Sequence, residues 1–226
     1  MGEFKVIRDD PKLPVYFSQP EGDGPFPAII LFMHRPGLDK PQQIVCDDLA
    51  KAGYLVAGTD AYRDGELDQN SYSDDTIFQD FLYVLEYLKN LEIVNNKKIG
   101  TIGFCMGGRH GYLAAAWYSE IKATVSFYGF PTRGNDSSDT PIDLVSEFKA
   151  PVLGIFGETD PMILMEDVNS FREVLTASST YHNVTVFEGV GHGFLNPSSP
   201  RHEENAAATA WLITLEHFRK YLSMNN

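Results

Sequence analysis

The amino-acid sequence predicts an α/β fold in which a mostly parallel central sheet is flanked by helices on both faces. Short continuous apolar runs of the buried-strand type recur along the chain, and each is followed by a loop or by a segment of helical periodicity. A third observation is local. Residues 103–108, Gly-Phe-Cys-Met-Gly-Gly, stand between the apolar run 98–102 and the alanine-rich, helix-like segment 112–118, which is the order strand, sharp turn, helix.

Taken in order, an early antiparallel strand or hairpin is expected within residues 11–27, from the run Val15-Tyr16-Phe17. Residues 27–34 (P-A-I-I-L-F-M-H) read as a buried strand, 42–51 as a helix stopped by Gly53, and 55–60 as a second strand, together a β-α-β unit. Residues 75–88 place Ile77, Phe78, Phe81, Leu82, Leu85 and Leu88 at the spacing of one helical face, before the strand that enters the turn. After the helix at 112–118 come apolar runs at 123–128 and 152–156, a helix at 166–175 and a strand at 184–187. The segment 203–222, with Ala206, Ala210, Ile213, Phe218 and Leu222, suits a final helix lying on the sheet. The polar stretch 133–140 (R-G-N-D-S-S-D-T) reads as a surface loop rather than a binding loop. No stretch looks like a domain boundary, so residues 1–226 are expected as a single domain.

Composition excludes several classes of function. With 43% hydrophobic residues in 226, the chain can bury a substantial core, and its net charge of −13 argues against a nucleic-acid partner held by a basic surface. A small anionic substrate stays possible, because a few arginines or a helix N-terminus can reverse the field inside one cleft. No segment approaches the roughly 18 apolar residues needed to span a bilayer. The N-terminus has no signal-like region, and Val6 stands where a myristoylation pattern needs Ser or Thr. A soluble, cytoplasmic protein with no membrane partner is expected, as a monomer or weak homo-oligomer. Two cysteines, Cys46 and Cys105, are too few for a disulfide framework and lack zinc-site spacing. His110, His182, His202 and His217 lack ligand-like spacing with carboxylates or each other, so neither metal nor cofactor is expected. Cys46, among Ile44, Val45 and Leu49, reads as core or helix surface.

The turn has the form G-x-C-x-G, a nucleophile elbow carrying a thiol, in which the glycines let the chain bend and neighbouring backbone approach. The competing reading is a small buried cysteine at a strand end. Two further positions bear on the choice. The run 152–156 leads into Gly157-Glu158-Thr159-Asp160-Pro161, and 184–187 leads into Gly189-Val190-Gly191-His192-Gly193-Phe194. Nucleophile, acid and histidine thus follow the chain order of α/β-hydrolases, with Cys105, Asp160 and His192 as the candidate triad. A helix N-terminus and a nearby imidazolium both favour thiolate at Cys105. Oxyanion donors are expected from the backbone N–H of Met106 and from the loop around His34 and Arg35. Other thiol chemistries fail on spacing: a phosphatase loop needs C-x5-R, but Gly111 holds that place and Arg109 is too close.

These residues resemble the dienelactone hydrolase family, α/β-hydrolases that use cysteine where relatives use serine. The resemblance rests on residues 103–108, on the block from Gly53-Tyr54 to Asp60-Ala61-Tyr62, on Phe156-Gly157-Glu158-Thr159-Asp160 and on Gly191-His192-Gly193-Phe194, and it spans nearly the whole chain. It implies an α/β-hydrolase fold and hydrolysis of lactones or activated esters, such as a carboxymethylenebutenolide, through an acyl-thioester. Two departures stand out. His34 occupies the place of a family Glu that interacts with the thiol, and Asn196 that of an arginine that binds the substrate carboxylate, leaving Arg63 before the elbow. Arg35 and Arg109 are further candidates for substrate anion binding. His34 is either a contact of oxyanion or thiol or a satisfied polar residue at a strand end. Phe194, with Phe127, Tyr128, Phe130, Met162 and Met165, is a candidate wall of an acyl pocket. The expected partner is a small ester or lactone; the alternatives are a carboxylesterase or thioesterase of different acyl preference, or a non-catalytic scaffold.

Overall fold

The apolar runs become the strands of one sheet in a computed structural model that describes residues 1–69, 72–134, 139–178 and 181–223. The strands are β1 (Glu3–Asp9), β2 (Lys12–Ser18), β3 (Phe26–Phe32), β4 (Leu55–Thr59), β5 (Val94–Phe104), β6 (Ile121–Phe127), β7 (Val152–Gly157) and β8 (Asn183–Phe187). The helices are α1 (Lys40–Lys51), α2 (Asp74–Lys89), α3 (Met106–Trp117), α4 (Met165–Ala177) and α5 (Glu204–Leu222), with a 3-10 segment at Pro141–Glu147. Of the loop expected at 133–140, residues 135–138 lie outside the described residues.

The sheet runs β1-β2-β4-β3-β5-β6-β7-β8. β1 and β2 pair antiparallel, as do β2 and β4, and every pairing from β4 through β3 to β8 is parallel. The order decides where a site can form. From β3 the chain crosses outward to β4 and then back over β3 to β5, so right-handed crossovers place α1 on one face and α2 and α3 on the other. Contacts agree: Phe78 of α2 meets Trp117 of α3 at 4.7 Å, while Tyr54 beyond α1 meets Phe218 of α5 at 5.8 Å. The carboxyl ends of β3 and β5, where the winding reverses, flank the crevice in which open α/β sheets bind ligands.

Local chemistry sets the helix starts. Asp39 caps α1, accepting from the Gln42 N–H at 3.3 Å, with Pro41 in the first turn. Ser73 caps α2, accepting from the Thr76 N–H at 3.1 Å, and Asp74 and Asp75 face the positive end of the dipole. Periodicity misplaces two residues. On α2, Leu82 is 40% exposed and Val84 is fully buried. On α5, Thr214 is fully buried beside the partly buried Ile213, because its hydroxyl is satisfied by the Ala210 carbonyl at 2.8 Å. β2 is the antiparallel strand expected around Val15-Tyr16-Phe17, and the hairpin it completes lies earlier: its first strand is β1, and the chain turns after Asp9. β1 is almost wholly exposed, with Phe4, Val6 and Ile7 as its apolar residues.

Two half-buried histidines make the fold acid-sensitive. Burial holds His182 and His217 uncharged, each with a pKa lowered to about 4. In the unfolded chain both take up a proton near pH 6.5, so the unfolded state binds more protons between about pH 6.5 and 4. Their contribution is complete above that window and is lost as pH falls through it. The urea midpoint should drop between pH 7.5 and 5, and His182→Gln with His217→Gln should flatten the drop. An unchanged wild-type midpoint across this range would contradict the assignment.

Candidate active site

The elbow is built by close approach of backbone. Cys105 adopts φ 56° and ψ −120°, a conformation that costs a non-glycine residue on the order of 1–3 kcal/mol. The Cys105 N–H donates to the Phe127 carbonyl at 3.0 Å, and its carbonyl accepts from the N–H groups of Gly108 and Arg109, which starts α3. A side chain at Gly103 would overlap the Gly107 carbonyl, and one at Gly107 would overlap the Phe32 and Met33 carbonyls. Glycine at 107 therefore lets α3 press against the end of β3, and the half-buried thiol sits above the sheet edge.

The loops after β7 and β8 bring the two other candidate residues to this point. Asp160 Oδ1 accepts from the N–H groups of Met162 and Ile163 at 2.8 and 3.2 Å, which fixes the carboxylate. Its Oδ2 accepts from His192 Nδ1 at 2.6 Å, leaving Nε2 for Cys105, which lines the same cleft. Burial opposes a charge on His192, but interaction with Asp160 and Cys105 outweighs it and raises its pKa to about 9. Tyr128, whose φ is +40°, sets its ring 4.7 Å from that of His192 at a tilt of 53°.

A cleft of about 920 Å³ opens over this group, lined by Cys105, Met106, His192, His34, Arg35 and Asn196 among others. Met106 is the first residue of α3, and the first N–H groups of a helix have no intrahelical acceptor. Arg35 follows β3 across the cleft, with its carbonyl held by the Tyr62 hydroxyl at 2.5 Å. His34 bonds Asp39 at 3.0 Å, so it is a satisfied polar residue on the cleft wall.

Three expected substrate-binding residues lie elsewhere. Arg63 is buried and makes a two-pronged ion pair with Asp80 at 2.6 and 2.7 Å. Arg109 is fully buried behind the elbow, donating to both oxygens of Asp74 at 2.8 and 3.0 Å and to the carbonyls of Arg133 and Asp139. Phe194 is fully buried, packed against Phe127, Tyr128 and Phe187. Of the other acyl-pocket candidates, Tyr128, Phe130 and Met162 line the cleft, whereas Phe127 and Met165 do not. Phe127 ends β6 inside the core, whereas Tyr128, just past the strand with φ +40°, reaches the cleft.

A buried polar group behind the elbow escapes sequence reasoning. Asp74 accepts from His110 Nε2 at 2.9 Å as well as from Arg109. Burial opposes its charge, yet His110 and Arg109 hold the carboxyl well below its usual range. Tyr72 donates its hydroxyl to the Met33 carbonyl at 2.9 Å and lies 3.4 Å from His110 Nδ1, tying this group to the loop that carries His34 and Arg35. The adjacent pair Arg109-His110 inside an apolar helix is the one signal that could have found it. Exposed Arg133 and Arg201 and Lys40 at the start of α1 also line the cleft. Among the described residues no three His, Cys, Asp or Glu side chains gather as a metal site, and no helix is long and apolar enough to cross a membrane.

Comparison with known proteins fits this arrangement. The model of the dienelactone hydrolase family matches residues 13–222. The chain belongs to the dienelactone hydrolase family. A protein of Escherichia coli named "Putative carboxymethylenebutenolidase" is 30% identical over 226 residues, covering 92% of this chain and 83% of that protein. One of the same name from Methylorubrum extorquens is 28% identical, covering 97% and 81%. Among solved structures, the "Putative Dienelactone Hydrolase" of Klebsiella pneumoniae superposes with a TM-score of 0.85 at 27% identity, covering 98% of this chain and 99% of that one. As a dienelactone hydrolase family member the chain is a carboxylic ester hydrolase.

The two arginines removed from the cleft have a testable consequence. Truncating one partner of a buried ion pair typically costs about 3–5 kcal/mol, so Arg63→Ala should lower the urea-derived stability by that amount with little effect on KM for any ester. A large rise in KM with unchanged stability would return Arg63 to the substrate site.

Proposed function

We propose that this chain hydrolyses a lactone or ester with Cys105 as nucleophile, His192 as proton carrier and Asp160 as the residue that orients and charges His192. The observation that carries this reading is His192 standing between the Asp160 carboxylate and the Cys105 thiol at the floor of the cleft. The relatives' names, carboxymethylenebutenolidase and, for a 27% identical Bradyrhizobium protein, "Probable 2-oxo-3-(5-oxofuran-2-ylidene)propanoate lactonase", support a lactone or activated ester as substrate.

The steps follow from where charge develops. Cys105 attacks the carbonyl carbon as the thiolate, its proton held on His192 Nε2, where the raised pKa keeps the imidazole charged. The resulting oxyanion is received by the backbone N–H groups of Met106 and Arg35 on either side of the cleft. Collapse expels the alkoxide, which takes the proton from His192, and an acyl-thioester remains on Cys105. In a lactone the expelled hydroxyl stays tethered to the acyl group. Water then attacks the thioester as His192 takes its proton, and the second tetrahedral intermediate releases the acid and the thiolate.

Commitment of Arg63 to Asp80 and Arg109 to Asp74, together with Asn196 on the cleft wall, favours a carboxylesterase or thioesterase preference other than dienelactone as the second reading. A half-buried thiol facing a cleft speaks against an inert scaffold.

Cys105→Ala should lower kcat by about three orders of magnitude or more while leaving the circular dichroism spectrum unchanged. Iodoacetamide should abolish hydrolysis of p-nitrophenyl acetate in step with a single adduct on Cys105, since burial pushes the Cys46 thiol far up and out of reach. Full turnover by Cys105→Ala would overturn the mechanism.

The raised pKa of His192 fixes the alkaline limit. Acylation needs His192 to return a proton to the leaving group. The pH profile of kcat/KM should fall above about pH 9. Stability follows the same sign, because the contribution of this charged histidine is full below pH 6.5 and is lost as pH rises through 9. A profile still rising at pH 10 would exclude His192 as the proton donor.

A further inference from the structure

The cleft is larger than a small lactone requires. At about 920 Å³ it stands near the upper end of the roughly 300–1,000 Å³ of sites that hold drug-sized ligands. Beside the polar residues of its wall, among them Lys40 and Asp48 of α1 with Arg133 and Arg201, the cleft carries an apolar strip: Ile44 and Val45 from α1, Leu195 and Pro197 from the loop after β8, and Trp211 from α5. Ile44 is 41% exposed and Val45 partly buried, both on the cleft side of a helix whose apolar residues Cys46, Leu49 and Ala50 are buried.

Topology explains the groove. α1 starts at the carboxyl end of β3 and α5 follows β8, so both helices run from the site end of the sheet towards its far end. They meet at that far end, where Tyr54 packs on Phe218 at 5.8 Å. Nearer the site, Ile44 of α1 and Trp211 of α5 line the same cleft.

The chemistry assigns a direction to it. A leaving group must lie against His192 to receive its proton. The acyl part then points away from His192, past the oxyanion donors and towards α1, which follows directly from the loop carrying Arg35. None of the arginines expected from sequence to clamp a substrate anion at 63 or 109 reaches this space.

Resting on the hydrolase reading above, we infer that the substrate is an ester or lactone whose acyl group carries an extended apolar arm, seated in the groove between α1 and α5, with Ile44 and Trp211 setting its fit. Burial of each methylene in such a groove raises kcat/KM by up to about fourfold.

The test is a p-nitrophenyl ester series from acetate to octanoate on the full-length protein, which keeps the leaving group constant. kcat/KM should rise on the order of 50-fold from acetate to hexanoate, and Ile44→Glu should lower the hexanoate-to-acetate ratio about tenfold. Binding is read separately, without turnover, by titrating Cys105→Ala with n-alkyl carboxylates from acetate to octanoate and following tryptophan fluorescence. Trp117 packs against Phe78 outside the cleft, so the change should come from Trp211, grow tighter with chain length and vanish in Trp211→Phe. Cys105-dependent turnover with a flat or falling chain-length profile would overturn the inference and leave the hydrolase reading standing. Chain-length-dependent binding without Cys105-dependent turnover of any ester would do the reverse: the groove would stand and the hydrolase reading would fail. Equal affinity for all chain lengths would overturn the groove whatever the turnover.

Discussion

Everything at the site depends on how closely α3 can approach β3. The approach needs Gly107, because any side chain there would run into the carbonyls of Phe32 and Met33, and it needs Gly103, because the chain folds back on itself across the turn. With those two positions empty of side chain, Cys105 takes a left-handed φ and its thiol is lifted clear of the sheet. The same approach brings the first N–H of α3 opposite the loop that leaves β3. The strain at Cys105, on the order of 1–3 kcal/mol, is offset by the hydrogen bond from its N–H to Phe127 and by the fully buried alanine surface of α3.

Around this turn the chain spends its few buried charges on support. Asp74 gathers Arg109 and His110 on one side of the elbow, and Asp80 gathers Arg63 nearby on the same helix. Both pairs are almost wholly buried, where the attraction between partners is offset by the cost of removing them from water. Their value is therefore in fixing geometry. Through Tyr72 and the Met33 carbonyl, the first group reaches the loop that carries Arg35. The consequence for the cleft is that its cations are exposed ones at the mouth, while its depth is apolar.

Sequence reading recovers the parts of the fold that follow from period and punctuation. The runs at 27–34, 55–60 and 152–156 correspond to β3, β4 and β7, whose near-continuous burial leaves Thr59 as their one polar side chain, and the glycine turns mark where Cys105, Asp160 and His192 leave the sheet. It fails where partner choice decides. β1 is short on continuous apolar residues and exposed, with only the alternating Phe4 and Val6 and the adjacent Ile7 to mark it, and its place comes from pairing with β2. Val84 lies on the same helical face as the buried Ile77, Phe81, Leu85 and Leu88 while Leu82 falls at its edge, and Thr214 enters the core because its hydroxyl finds a carbonyl one turn back. Arg63 and Arg109 are invisible as structural residues, since Asp80 and Asp74 are paired with them only once the fold is formed. Phe194, two positions beyond His192, points into the core instead of the cleft.

The central claim is that the acyl group passes through Cys105. The direct measurement is acid quenching of the protein during turnover of an ester, at early and late times and with His192→Gln included as the acylation-impaired control, followed by intact-mass and peptide mapping. The account predicts a mass gain equal to one acyl group, located on the peptide that contains Cys105, present during turnover, gone once the ester is consumed and smaller in the His192→Gln protein. Sustained turnover with no acyl adduct, or an adduct on any other residue, would contradict it.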